Sequence, residues 1–163
     1  MRSLLVLTVM LICSAFAKAQ SIKSVLEKYN QHSVPYITVQ EVKMDYENYV
    51  ILDTRKKEEF EVSHLPGAYW VDANFDQNNL PKSLRDNPKK LVIVYCTIGV
   101  RSEDFGERLV EAGYKNVRNL YGSIFSWKDA GYELVDDLGQ PTDSVHTYSK
   151  TWSKYLKTGI PIN

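Results

Sequence analysis

Apolar residues along this 163-residue chain fall either into short unbroken runs or into helix-spaced sets, and the two kinds alternate. Tyr49-Val50-Ile51-Leu52 and Leu91-Val92-Ile93-Val94-Tyr95 are continuous, rich in β-branched residues and bounded by polar ones. That is the pattern of strands buried on both faces of a parallel sheet. Tyr69-Trp70-Val71 and residues 117–120 predict shorter strands. Val34-Pro35-Tyr36-Ile37 predicts an edge strand, where proline is tolerated. Between these runs, Ile22, Val25, Leu26 and Tyr29 are spaced for a helix within residues 21–31. Thr38 with Glu41 three residues on is a capping box opening a brief helix to about residue 43. Residues 56–62 predict another helix. Phe105, Leu109 and Ala112 give one apolar face to a helix that Gly113 ends, and Ile124, Phe125 and Trp127 mark a short one closed by Gly131. Residues 74–90 are polar and predict a loop with at most a helical turn around Leu84. Strands alternating with helices through short connections predict a parallel α/β sheet. From Pro141 onward, Asp143 or Ser144 is expected to cap a helix carrying Val145, Tyr148, Trp152, Tyr155 and Leu156, stopped by Gly159 and Pro161. Lys150, Lys154 and Lys157 give it a cationic outer face. It is expected to dock on the domain, and it is also a candidate surface for a protein partner.

The first nineteen residues differ in kind. Arg2 precedes an almost entirely apolar stretch from Leu4 to Phe16, and Ala17-Lys18-Ala19 forms a small-x-small cleavage site before Gln20. Residues 1–19 are therefore expected to be a secretory signal peptide, too short to anchor, and the protein to be periplasmic or secreted. The expected organisation is this leader, a helical extension over residues 20–33, a domain over 34–136 and a helical tail over 137–163. Formal net charge is zero, and losing Arg2 and Lys18 with the leader makes the mature chain slightly acidic. With no long basic run, nucleic acid is not an expected partner. At 44% hydrophobic and 25% charged residues, neither disorder nor a membrane bundle is suggested, and no transmembrane segment is expected in the mature chain. Cys13 lies in the leader, so the mature chain keeps one cysteine, Cys96, and has no internal disulfide. His32, His64 and His146 are far apart in sequence, and no glycine-rich phosphate loop is present. No metal site and no cofactor are expected.

The chemistry concentrates after the run at residues 91–95. Cys96 ends that strand, where open α/β sheets bind ligands. Thr97-Ile98-Gly99-Val100-Arg101 then lead to Ser102, which with Glu103 and Asp104 reads as a helix N-cap with acids in the first turn. Gly99 is free to take a positive φ, so the loop can turn backbone N–H groups inward. Those donors, the helix N-terminus and Arg101 all favour a thiolate, which makes Cys96 unusually acidic and fit for cysteine chemistry on an anionic or sulfur-rich group. The bland alternative is a small buried hydrophobe. Two roles are open to Arg101: orienting an anionic donor, or bracing the loop against an acid such as Asp53 or Glu59. Asp53 and Arg55 follow the run at residues 49–52 and lie at the same sheet edge as Cys96 if both strands are parallel, as supporting residues with Ser102 or as a structural ion pair. His64 before Leu65-Pro66-Gly67 reads as a turn residue bonded to backbone rather than a general base, since no carboxylate partner is evident.

Three segments taken together resemble the rhodanese-like domain family. Ile51-Leu52-Asp53-Thr54-Arg55, with Glu58-Glu59-Phe60 and His64-Leu65-Pro66-Gly67-Ala68, is similar to its first signature. Val94-Tyr95-Cys96-Thr97-Ile98-Gly99-Val100-Arg101-Ser102 is similar to its active-site loop. Ala112-Gly113-Tyr114-Lys115-Asn116-Val117, with Leu120-Tyr121-Gly122 and Trp127, is similar to its closing segment. The resemblance implies a three-layer α/β domain with a central parallel five-stranded sheet flanked by helices. It also implies sulfurtransferase activity through a Cys96 persulfide, with Thr97, Ile98, Gly99, Val100 and Arg101 as the surrounding loop. The implied partners are a small sulfur-containing anion such as thiosulfate as donor and cyanide or a thiol as acceptor. Two departures stand out. Gly122-Ser123 occupies a place where two glycines are common, a change expected to have no catalytic meaning. Thr97 and Ile98 are uncharged where loops suited to thiosulfate often carry cations, which leaves the donor open. Related phosphatases hold five residues between cysteine and arginine. Here there are four, a ring better matched to a sulfur atom than to a phosphate. A non-turnover binding or sulfur-carrier module is the alternative of another class.

Overall fold

The computed structural model describes residues 21–163; the expected signal peptide over residues 1–19, with Cys13, lies outside the described residues. Its centre is a five-stranded, wholly parallel sheet made of β1 (Tyr36–Ile37), β2 (Val50–Asp53), β3 (Tyr69–Trp70), β4 (Val92–Tyr95) and β5 (Val117–Leu120), in the spatial order β1-β5-β4-β2-β3. This is the flanked parallel sheet that the resemblance implied. β4 lies in the middle, with Leu52 opposite Val94, Asp53 opposite Tyr95 and, on the other side, Val94 opposite Asn119. Because side chains alternate along a strand, the continuous apolar runs serve two layers at once. Val50, Leu52, Val92 and Val94 pack with Leu84 of α4 (Lys82–Arg85) and with Phe105 and Leu109 of α5 (Arg101–Glu111). Ile51, Ile93 and Tyr95 pack the other way, with Val39 and Val42 of α2 (Val39–Met44) and with Ile124, Phe125 and Trp127 of α6 (Ser123–Asp129).

Local signals placed the short elements. The Thr38–Glu41 box is formed: Thr38 Oγ1 accepts from the Glu41 N–H at 3.2 Å while the Glu41 carboxylate accepts from the Thr38 N–H at 2.9 Å. The amino-terminal helix α1 (Ile22–Tyr29) opens with a second box, between Ser21 and Ser24, and buries Val25 and Leu26 on the domain. α5 seats closely against residue 34, since a Cβ on Gly106 would meet the Val34 side chain at 3.0 Å. His64 is the turn residue expected, with Nδ1 3.0 Å from the Phe60 carbonyl and its backbone paired with Val135.

Two expectations fail. Ser102 is not an N-cap: Val100 holds that position and α5 starts at Arg101, two residues earlier than a Ser102 cap would start it, and the Ser102 hydroxyl turns inward to donate to Asn119 Oδ1 at 2.8 Å. The tail is not a long helix either. β6 (Leu134–Val135) pairs antiparallel with β7 (Pro141–Thr142), β8 (Ser144–His146) pairs parallel with β9 (Ile160–Ile162), and only the turn α7 (Lys150–Ser153) is helical. Tyr148, at φ +65, breaks any helix that would run through it, and β-branched Thr142, Val145, Ile160 and Ile162 suit strands. Docking itself is observed. Val145 and Tyr155 join the core, the Asp129 carboxylate accepts from the Lys157 and Thr158 N–H groups at 2.9 Å each, and Lys128 pairs with Asp143. Among the described residues no helix is long and apolar enough to cross a membrane.

Candidate active site

β2 and β4 are neighbours whose onward connections leave in opposite directions, β2 toward β3 and β4 toward β5. The crevice at their carboxyl ends is where an open α/β sheet presents ligand-binding loops. Cys96 sits there, directly after β4 and only 1% exposed. Its own N–H donates to Ser123 Oγ at 3.1 Å, and its sulfur accepts from the Gly99 N–H at 3.2 Å and faces the Ser102 hydroxyl at 3.6 Å. Burial by itself pushes the Cys96 thiol up. The Arg101 guanidinium, the Ser102 hydroxyl and the backbone N–H groups of Gly99 and Ser102 outweigh it, so the thiol lies below its ordinary value. This is a thiolate-favouring site.

The loop owes its shape to one backbone position and to polar clamps. Gly99 holds φ +110, and a Cβ there would lie 3.3 Å from the Leu26 side chain, so glycine is required. The Gly99 carbonyl faces away from the sulfur and accepts from Asn30 Nδ2 and from Asn119 Nδ2, both at 2.8 Å. Beyond the apex, Arg101 turns to Glu59 of α3 (Lys57–Val62) and makes a two-pronged pair, Nη1 to Oε2 and Nη2 to Oε1, each 2.8 Å. Nη2 also donates to Thr97 Oγ1 at 2.8 Å, and the Thr97 hydroxyl donates to Glu59 Oε1 at 3.2 Å. Of the two roles open to Arg101, the geometry shows the brace, against Glu59 rather than Asp53. Burial pushes the Glu59 carboxyl up, but the Arg101 hydrogen bonds and charge bring it below its usual range.

Asp53 and Arg55 stand at the same sheet edge but turn inward. Their side chains are 0% exposed and joined at 2.7 Å, Arg55 also donates to the Ser63 carbonyl at 2.6 Å, and neither lines the cleft over the cysteine. They are a structural pair beneath the site. Ser123, whose replacement of glycine was expected to have no catalytic meaning, is the acceptor for the Cys96 N–H and holds φ +49.

Above Cys96 opens a cleft of about 290 Å³ whose floor is Cys96, Thr97, Ile98, Val100 and Arg101. Its remaining walls are Tyr29, Tyr148 and Trp152, and the Tyr148 ring covers Arg101 with its centroid 4.7 Å from the guanidinium carbon. Sequence reasoning missed these three walls and both asparagines. The walls converge from α1 and the tail, Asn30 follows α1 and Asn119 lies on β5, and no local motif marks them. Among the described residues no group of three or more histidine, cysteine or acidic side chains could hold a metal.

A family model described as rhodanese-like domain matches residues 38–130. The chain is 37% identical over 116 residues to a tRNA uridine(34) hydroxylase of Streptococcus pyogenes serotype M12, a match covering 61% of this chain and 35% of that protein. It is 44% identical over 86 residues to the Streptococcus sanguinis protein of the same name, covering 50% of this chain and 26% of that one. The chain thus spans about a third or less of the length of these curated relatives. Among solved structures it resembles a thiosulfate sulfurtransferase from Pseudomonas aeruginosa (TM-score 0.56, 27% identity, covering 73% of this chain and 22% of that one). It also resembles protein hp1203 from Helicobacter pylori (TM-score 0.53, 29% identity, covering 71% and 96%).

Proposed function

The chain belongs to the rhodanese-like domain family, and we propose on that premise that it is an exported sulfurtransferase that carries a sulfane sulfur on Cys96. The observation that carries this reading is the Cys96 sulfur itself, buried at the end of β4, yet held below its ordinary thiol value by Arg101, Ser102 and the Gly99 N–H. A thiolate there attacks the outer sulfur of a donor such as thiosulfate. The new sulfur–sulfur bond forms as the donor's own sulfur–sulfur bond breaks, and sulfite leaves with the electron pair. The persulfide anion that remains is favoured by the same donors that favour the thiolate. Cyanide or a thiolate acceptor then attacks the outer sulfur and returns Cys96 to its thiolate. Arg101 keeps the loop in register through Glu59 and Thr97, and its charge lowers the cost of an anion at the sulfur.

The relatives named tRNA uridine(34) hydroxylase share about a third of their length with this chain, so the reaction in their name is not carried over to it. Export is supported by the charged, apolar and small-residue pattern of residues 1–19, with maturation before Gln20. Intact-mass spectrometry after incubation with thiosulfate tests the central claim. A gain of one sulfur, removable by cyanide or a thiol and absent in Cys96→Ser, is expected. No gain with any sulfane donor would leave a non-turnover module instead. N-terminal sequencing of the exported protein tests maturation at Gln20.

A further inference from the structure

The floor of the cleft comes from the family segment, but its outer walls do not. Tyr29, Tyr148 and Trp152 all lie outside the matched residues 38–130. Tyr29 and Tyr148 remain 54% and 50% exposed, so these are large apolar surfaces left open at the mouth of a site. Tyr148 is also held in a conformation that a side chain of its size rarely adopts, at φ +65, with its N–H donating to His146 Nδ1 at 3.1 Å. Such conformations persist where surrounding structure over-determines them, and they gather at ligand sites. The charge inventory of the cleft points the same way. Its one cationic lining residue is Arg101, which commits three N–H donors to Glu59 and Thr97 and one face to the Tyr148 ring. Little is left for a small, strongly hydrated dianion. At about 290 Å³ the cleft is close to the lower bound of roughly 300 Å³ for pockets that take small organic ligands.

The geometry points to Tyr29, Tyr148 and Trp152 as the residues that choose the sulfur partner, favouring an organic sulfur compound with an apolar, aromatic group over an inorganic anion. This rests on the sulfur-transfer reading of Cys96 and adds the class of molecule that delivers or receives the sulfur. The group next to the reacting sulfur would lie between the rings while its sulfane sulfur meets Cys96. With an organic thiosulfonate, the Cys96 thiolate attacks the terminal sulfur. The Cys96 sulfur–sulfur bond forms, the bond from that sulfur to the sulfonyl group breaks, and the sulfinate leaves with the electron pair. Charge and atoms balance without any oxidant.

Benzenethiosulfonate and methanethiosulfonate carry the same reacting group and differ only in the part that would meet the walls. The measurement is the ratio of their kcat/KM values, compared between the wild type and variants so that the leaving groups' intrinsic reactivities cancel. Tyr148→Asn, which tolerates the left-handed backbone, and Trp152→Leu are each expected to lower the ratio about three- to tenfold, while Tyr148→Phe keeps it. A ratio unmoved in both Tyr148→Asn and Trp152→Leu would overturn the inference. A second readout needs no transfer: protection of Cys96 from iodoacetamide by the product anions. Benzenesulfinate is expected to protect at about fivefold lower concentration than methanesulfinate, and equal protection would overturn the inference. If neither donor loads sulfur while the aryl anion still protects better, the sulfur-transfer reading falls and the aromatic selection stands.

Discussion

Two arginine–carboxylate pairs stand at the carboxyl edge of the sheet, and chemically they are nearly the same object. Arg55 grips Asp53 with Nε and Nη2, and Arg101 grips Glu59 with Nη1 and Nη2. Their surroundings separate them. Arg55 and Asp53 are sealed at 0% exposure, with Arg55 over the Tyr95 ring and bonded to the Ser63 carbonyl. Arg101 keeps a quarter of its side chain open, at 26%, beside a reactive sulfur, while Glu59 beneath it is 1% exposed. A sealed pair fixes the register of two loops. A pair at the mouth of a cleft does that and also sets the field in which an anion is made and unmade. The role of an ion pair is therefore decided by what occupies the arginine's other side.

Breaking the sealed pair should have the largest effect on the fold. Removing one partner strands a buried charge, so Asp53→Ala should lose about 3–5 kcal/mol and lower the melting temperature by roughly 10 °C. Any activity loss should track the unfolded fraction. Arg101→Ala should invert that balance. Stability should fall less, by about 1–3 kcal/mol, while the rate of persulfide loading should drop about tenfold or more because the sulfur loses the positive charge that favours its thiolate. Equal stability losses in the two variants, with loading intact in Arg101→Ala, would erase the distinction between the pairs.

A smaller effect sharpens it. The Cys96 thiol is lowered despite its burial, chiefly by Arg101, so its alkylation by iodoacetamide should persist to lower pH than that of an ordinary thiol of about 8.5. Arg101→Ala, which removes that charge, should move the profile to higher pH. For a thiol lowered on folding, the unfolded chain binds more protons between the two pKa values. The thiolate's contribution to stability is therefore full above the unfolded value and lost as pH falls through the lowered folded value. Cys96→Ser should flatten that stretch of the stability–pH curve. The smallest change is Thr97→Val, which removes the hydroxyl bridging Arg101 and Glu59 and should cost about 1 kcal/mol.

The parts of this molecule that were legible in the sequence are those whose cause is local. Val92-Ile93-Val94-Tyr95 announces a strand buried on both faces because alternation feeds both layers, and Thr38 with Glu41 announces a helix start because three residues suffice to build the box. Cys96, Gly99 and Arg101 were legible as a site for the same reason. The tail misled because Val145, Tyr148, Trp152 and Tyr155 have helical spacing, yet the chain reaches the same burial with two short strands and one turn. What closes the sequence gap there is the parallel pairing of β8 with β9, a non-local contact that no spacing within the tail reveals. Arg101 has two roles open to it in the sequence because the acid that faces it, Glu59, lies 42 residues away along the chain. Asn30 and Asn119 carry no sequence signal, because the Gly99 carbonyl they share lies far from both along the chain.

That carbonyl has a consequence for how the loop switches, or rather fails to. The peptide between Gly99 and Val100 is hinged at a glycine, the residue type for which a peptide flip meets the least steric resistance. Flipped, it would swing oxygen lone pairs toward an anionic sulfur and turn an attractive rim into a repulsive one. Two buried amides holding the oxygen outward act as a latch against that second state, since releasing it would take an acceptor from Asn119 Nδ2 and leave Asn30 Nδ2 with the Tyr36 hydroxyl alone. One half of the latch, Asn30, directly follows α1. A helix ahead of the matched family segment therefore helps to decide the polarity of the cradle, and cutting it away would be expected to cost the loop its single-state behaviour before it cost the sheet its fold.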